Sequence, residues 1–177
     1  MSLVTKELKA KAEVYYGGQV CRERFSLLLA EMGLPDGLLT TTFDLEQENN
    51  IIEECGFVKE IGFVWLKLKE KKEHRFDNIL VCFDTEVTAF LEPNKIKNLR
   101  GVKARDFLIW FTLIEIYVRD PPHPPEGSVI TFKSLVGLSM SFPVSLFKSD
   151  SKEDEELIKE ASQTRMVQKW RETTIRL

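Results

Sequence analysis

This sequence is poor in the residues that most often carry chemistry. It has only two histidines and three cysteines in 177 residues. His74 lies in the charged stretch Lys71–Arg75 and His123 in the proline-rich stretch Pro121–Gly127, and neither has a partner at metal-ligand spacing. Both read as surface histidines. Cys21, Cys55 and Cys82 are odd in number, and no two have metal-type or redox-type spacing. Each sits among apolar residues, so buried reduced thiols acting as small hydrophobes are expected. No Gly-rich phosphate loop is present, because Gly17-Gly18 separates two helical patterns and follows no strand. The nearest approach to a nucleophile elbow, Gly137-Leu138-Ser139-Met140-Ser141, lacks the second glycine and joins strand to strand rather than strand to helix. Glu53 and Glu54 are adjacent in a predicted strand, so they face opposite ways and form no acid/base pair by themselves. No catalytic centre, metal or cofactor is expected from these residues. A site assembled by the fold from distant residues would escape this reading.

An excess of one charge is also missing. The formal net charge is −3 and the signs are interspersed, which argues against nucleic acid as a partner. The densest basic stretch, Lys67–Arg75, contains Glu70 and Glu73 and reads as a solvated strand edge and loop. The longest apolar run, Phe107–Ile114, is too short to span a bilayer, so no transmembrane segment is expected. The first residues form no signal-peptide core, Ser2 excludes myristoylation, the C-terminus offers no prenylation cysteine, and no Asn-x-Ser/Thr acceptor occurs. A cytoplasmic location is the expectation.

What is present is a globular pattern in two registers. Residues 1–147 read as a single domain of helices plus β-barrel, and 148–177 as a charged, helical C-terminal tail. Val4, Leu8, Ala12 and Tyr15 recur at helical spacing behind an N-cap at Ser2. A second helix carries Val20, Cys21, Phe25, Leu28, Leu29 and Met32 on one face. Gly33, Leu34 and Pro35 then supply a left-handed cap, a residue to fold back over the last turn, and a stop. From about Ile51 the period changes to two. Strands are predicted over Ile51–Val58, Phe63–Lys69, Ile79–Phe83, Thr85–Leu91, Phe107–Val118, Ser128–Lys133 and Leu138–Val144; for Phe107–Val118 a buried helix is the competing reading, and its β-branched and aromatic residues favour strand. The fold class is therefore mainly β with α, an antiparallel barrel or sandwich preceded by two N-terminal helices.

The aromatic and aliphatic content of these strands exceeds what a one-faced sheet needs. Trp65, Phe107, Ile109, Trp110, Phe111, Leu113, Ile116 and Tyr117 either fill the interior and pack the helices or line an apolar cavity for a lipid-like molecule. On the second reading the pocket candidates are Val64, Trp65, Leu66, Ile109, Trp110, Phe111 and Leu113.

Several ordered segments carry a resemblance. Glu31-Met32-Gly33-Leu34-Pro35-Asp36-Gly37-Leu38-Leu39, Ile52–Gly56, Gly62–Lys67, Thr85–Ala89, Gly101–Ala104, Glu115–Val118, Ile130–Lys133 and Ser141–Val144 resemble a plant family known as domain of unknown function 538. The likeness covers about residues 3–147. It implies a β-barrel with helices at its N-terminal side, similar to the lipid-binding domain of bactericidal/permeability-increasing protein. It further implies binding of a lipid or other amphipathic ligand, or carboxylester hydrolysis of a hydrophobic ester such as chlorophyll, with roles in stress responses and trichome development. The family supplies no catalytic motif to carry over. This sequence departs from the pattern after Leu39, where Thr40–Asn50 forms an insertion in place of the usual proline, and again over Phe76–Asp84.

Three functions follow as expectations. The first is a non-enzymatic binding protein for an amphipathic or lipid-like molecule. The second is a carboxylester hydrolase, for which only His74 and His123 offer an imidazole base. The third is a protein-interaction module, with the C-terminal tail meeting a protein partner.

Overall fold

The computed structural model describes residues 2–36, 38, 51–76, 79–106, 108–119 and 127–147. The predicted tail, the Thr40–Asn50 insertion, the proline-rich loop before Gly127 and His123 lie outside the described residues.

The chain opens with a short helix, α1 (Lys6–Lys11), capped by the Thr5 hydroxyl, which accepts from the Leu8 N–H. The periodicity predicts a longer helix reaching Tyr15, but the chain turns into strand β1 (Glu13–Tyr16). Tyr15 stands opposite Cys55 of strand β2 (Ile52–Val58), so sheet pairing overrides a helical pattern too short to hold on its own. Helix α2 (Gly18–Glu31) follows and ends as its sequence predicts. Gly33 adopts φ 76°, its N–H donates to Ala30 O, and Leu34 N–H reaches back to Leu29 O at 2.9 Å. This is a Schellman cap, and Leu34 is buried behind it.

The remaining strands are β3 (Phe63–Leu68), β4 (Lys72–Phe76), β5 (Ile79–Glu92), β6 (Lys95–Asp106), β7 (Ile109–Arg119), β8 (Val129–Ser134) and β9 (Ser139–Pro143), with a 3-10 turn at Val144–Phe147. All pairings are antiparallel. The order is β1-β2-β3-β5-β6-β7-β8-β9, with β4 also on β5. Ile79–Phe83 and Thr85–Leu91, predicted as two strands, are one strand. Its first half pairs with β4 and its second half with β3, so β3 and β4 lie end to end along it.

The fold is thus mostly antiparallel sheet with two helices, as expected, but of the two forms expected, barrel or sandwich, the barrel is not formed, because the sheet is open. Among the described residues β1 pairs only with β2, and β9 only with β8. The chain leaves β1 directly into α2. That helix contributes Leu29, and its cap Leu34, to the same buried cluster as Met140 and Phe142 of β9 and Phe147. A helix on the concave face supplies the burial that strand closure would otherwise provide.

Curvature comes from bulges. The register shifts between Phe83 and Phe90 in β5, between Ile96 and Lys103 in β6, and between Leu113 and Glu115 in β7. Extra residues on one strand of a pair bend it and sharpen its twist. Gly101 shows why the sequence bends there. It has φ 90°, and a Cβ would run into the Glu86 carbonyl oxygen, so only glycine permits this approach of β6 to β5.

Strands β2 and β3 are covered on both sides. Val64 and Leu66 face the concave interior. Phe63 and Trp65 form a second cluster with Val4 and Val58, against which Leu8 and Ala12 pack. The Trp65 indole lies over Gly56, where any Cβ would collide with the ring. Its Nε1 donates to Glu54 Oε1 at 2.9 Å, and Lys9 Nζ reaches the same carboxylate at 2.9 Å. Burial pushes the Glu54 carboxyl up, but the Lys9 ammonium and the Trp65 N–H outweigh it and hold it below the usual carboxylate range. The expected outward orientation of Glu53 against Glu54 holds, since Glu53 is exposed and Glu54 buried. The buried carboxylate pins α1 to the sheet.

A candidate apolar binding cavity

Between α2 and the concave face lies a cavity of about 170 Å³. Every strand from β3 to β9 contributes to its wall, together with Phe25 and Leu29 of α2, Leu38 and Phe147. The curl of the sheet places these side chains around one space, and the alternation of each strand points every second residue inward. Besides Trp65, only His74 and Thr88 among the described lining residues carry a polar side chain. A water needs two to four polar partners to stay, and a dry cavity of about 150 Å³ lined by Leu, Ile and Phe binds benzene-sized molecules. The wall chemistry therefore suits an apolar guest.

The family model described as a protein of unknown function, DUF538, matches residues 25–148, well over half of the chain. The chain belongs to the DUF538 family. The matched segment starts inside α2 and ends beside the 3-10 turn, so α1 and β1 precede it. No curated protein and no solved structure matches the chain.

In this DUF538 protein the pocket candidates are distributed unevenly. Val64, Trp65, Leu66 and Leu113 line the cavity. The Trp65 side chain packs in the cluster on the other face of the sheet, so its place in the wall is that of a strand residue between Val64 and Leu66. Phe111 is buried in the main core outside the lining. Ile109 and Trp110 are 53% and 43% exposed at the far end of β7. The fold gathers the first four and leaves the last two at the surface.

His74, expected at the surface, is half-buried and lines the cavity from β4. The charged stretch that hides it is a strand in register with β5, with His74 opposite Val81. Alternation then turns His74 inward while Glu73 and Arg75 stay exposed. Ala89, Leu99, Val102 and Ala104 are lining residues that the sequence reading missed. Three of them are in β6, which was not predicted. Its signal was the alternation of Val102 and Ala104 with Lys103 and Arg105, obscured by the bulge that puts Leu99 out of phase.

The cysteines lie apart from the cavity. Cys21 and Cys55 are free, buried thiols in the small cluster beneath β1 and β2, and Cys21 Sγ donates to Tyr15 O. Hydrogen bonding with Cys21, reinforced by burial, keeps Cys55 protonated well above the ordinary thiol range. Cys82 is half-buried, and desolvation also raises it. Ser139 is exposed, and the Ser141 hydroxyl shares a 2.7 Å hydrogen bond with Thr131. Both serines alternate with the inward Met140 and Phe142 and do not line the cavity. Among the described residues no group of three His, Cys, Asp or Glu is placed to hold a metal ion.

Proposed function

We propose that this DUF538 protein is a non-enzymatic binding protein that takes the apolar part of a lipid-like or amphipathic molecule into the cavity between α2 and the curled sheet. The observation that carries this reading is the lining: about 170 Å³ bounded almost wholly by aliphatic and aromatic side chains. An acyl or prenyl chain gains about 0.8 kcal/mol for each methylene it buries there. A plant stress or developmental setting and a cytoplasmic location belong to the same proposal.

Carboxylester hydrolysis is the second reading, favoured by one observation: His74 is an imidazole in the cavity wall. A hydrolase also needs a nucleophile within hydrogen-bond reach of that base. The described lining residues include no Ser, Cys, Asp or Glu, and Thr88 is their one hydroxyl. Binding without hydrolysis is the simpler use of such a wall.

Native mass spectrometry of the purified chain, followed by organic extraction, tests the proposal. A bound apolar molecule is expected, displaceable by a fluorescent fatty acid. A chain that is ligand-free and takes up no fluorescent fatty acid would overturn it.

A further inference from the structure

Cys21 and Cys55 lie far apart in the chain, with no redox-type spacing, yet the fold brings their thiols together. Strand β1 pairs with β2 so that Tyr15 stands opposite Cys55. The chain then turns at Gly17 into α2, and Cys21, near the start of that helix, joins Cys55 in one buried cluster with Ile52, Leu66 and Leu68. The Cys21 Sγ donates to Tyr15 O at 3.5 Å and accepts the S–H of Cys55. Both side chains are fully enclosed. Two small apolar side chains would fill this space as well, but two thiols in direct contact can also form a bond.

The contact is asymmetric. The S–H of Cys55, aimed at the Cys21 sulfur, favours the Cys21 thiolate and holds that thiol below its ordinary range, while Cys55 keeps its proton. Cys21 is thus the nucleophile of the pair and Cys55 the resolving thiol. Access runs through the start of α2. The N-cap is Gly17, with no side-chain hydrogen bond to hold the first turn. Strand β1, just before it, has 4 residues and pairs, among the described residues, only with β2. A short edge strand followed by an uncapped helix start opens locally at low cost, which admits a molecule the size of hydrogen peroxide.

We propose that Cys21 and Cys55 form a reversible disulfide when the protein meets hydrogen peroxide, fastening the start of α2 to β2. The Cys21 thiolate attacks one peroxide oxygen and the O–O bond breaks, leaving a sulfenic acid on Cys21. The departing hydroxide takes up the proton that Cys21 released and becomes water. The Cys55 sulfur then attacks the Cys21 sulfur, the S–O bond breaks, and the hydroxide leaves with the Cys55 proton as a second water. The two thiols lose two electrons and the peroxide gains them. Two molecules of a small thiol reverse the step by exchange and leave as their own disulfide. The bond has a mechanical consequence. Phe25 of α2, with Phe83 and Val87 of β5, packs against the thiol cluster and also lines the cavity. Oxidation therefore fastens the helix that walls the cavity, whatever the cavity holds.

Treating the reduced full chain with hydrogen peroxide and digesting it without reductant tests this. Peptide mass mapping should show the segment containing Cys21 joined to the segment containing Cys55, with Cys82 unlinked. Dithiothreitol should release the link. The bond closes a long loop of the unfolded chain, so the oxidised chain should melt at least about 5 °C above the reduced one. Amide hydrogen exchange in the first two turns of α2 should slow at least about tenfold. Cys82→Ala should oxidise as the parent does, whereas Cys21→Ala should form no link and show no rise in melting temperature on oxidation. Oxidation confined to Cys82, or carried to a sulfinic acid on Cys21 without joining Cys55, would overturn the proposal. So would a link that leaves exchange in α2 unchanged. Fatty-acid uptake enters none of these measurements, so failure of the thiol pair and failure of the cavity as a binding site give different results.

Discussion

Filling the cavity gives the most direct reading of what it costs and what it does. The cavity of about 170 Å³ leaves room beside its wall for added side-chain carbon, whose burial stabilises the fold. Ala104 is 3% exposed, lines this space, and lies between Val81 and Phe111 on the concave face. Replacing it by Ile adds three carbons, and a β-branched side chain suits a strand. Their burial is worth about 2.4 kcal/mol, less about 0.5–1 kcal/mol of lost rotamer freedom. The variant Ala104→Ile should therefore be more stable by about 1.5 kcal/mol, or some 3–5 °C in Tm. It should also take up a fluorescent fatty acid at least tenfold more weakly, because the added carbons occupy the guest's space. Guanidinium denaturation at constant m-value reads the first effect and fluorescence titration the second. A loss of stability beyond about 1 kcal/mol would show that the wall has no room. Unchanged uptake would show that the guest binds elsewhere.

Two other perturbations address the N-terminal attachment. Gly56→Ala drives a Cβ into the Trp65 indole and should cost about 2–3 kcal/mol by overpacking; adding Trp65→Phe should recover part of that loss, measured as a non-additive double-mutant cycle. Glu54, whose folded carboxyl lies below its ordinary value of 4.5, contributes stability that is fully present above about pH 4.5 and is lost as pH falls through the folded value. Glu54→Gln should cost roughly 1 kcal/mol at pH 7, and parent and variant should converge in acid. Denaturation midpoints that stay equally separated down to pH 3 would refute the ion pair with Lys9 as the cause.

Elements whose signals are local were legible from sequence. The Schellman end of α2 depends on Gly33 and Leu34 alone. The β2–β3 hairpin depends on a two-residue period either side of Lys59–Gly62, and β8–β9 on the same pattern around Leu135–Gly137. β4 and β6 were not legible. Their residues are heavily charged, and each became a strand because β5 offered an edge to pair with. Tyr15 shows the reverse case, a helical pattern drawn into a strand by Cys55.

For function the division is sharper. The sequence by itself determined the antiparallel β class, two helical segments at the N-terminus, the apolar surplus of β3 and β7, and the membership signalled by segments such as Gly33–Leu38 and Ile130–Lys133. These are set by period, turn chemistry and composition, which act over a few residues. Only the tertiary structure decided that the sheet stays open with α2 on its concave face, that His74 turns inward, and that Ala89, Leu99, Val102 and Ala104 complete a cavity wall. It also decided that Ile109 and Trp110, as apolar as Phe111 and Leu113, end at the surface beside Arg105. Burial depends on the face a residue takes and on how far its strand runs past its neighbours: in the overhang of β7 beyond Ser134, residues 109–112, Phe111 is buried on the face of Ala104, Trp110 takes the opposite face with Arg105, and Ile109 is the first residue of the strand. That overhang is a property of register across strands distant in the chain, which no local pattern encodes.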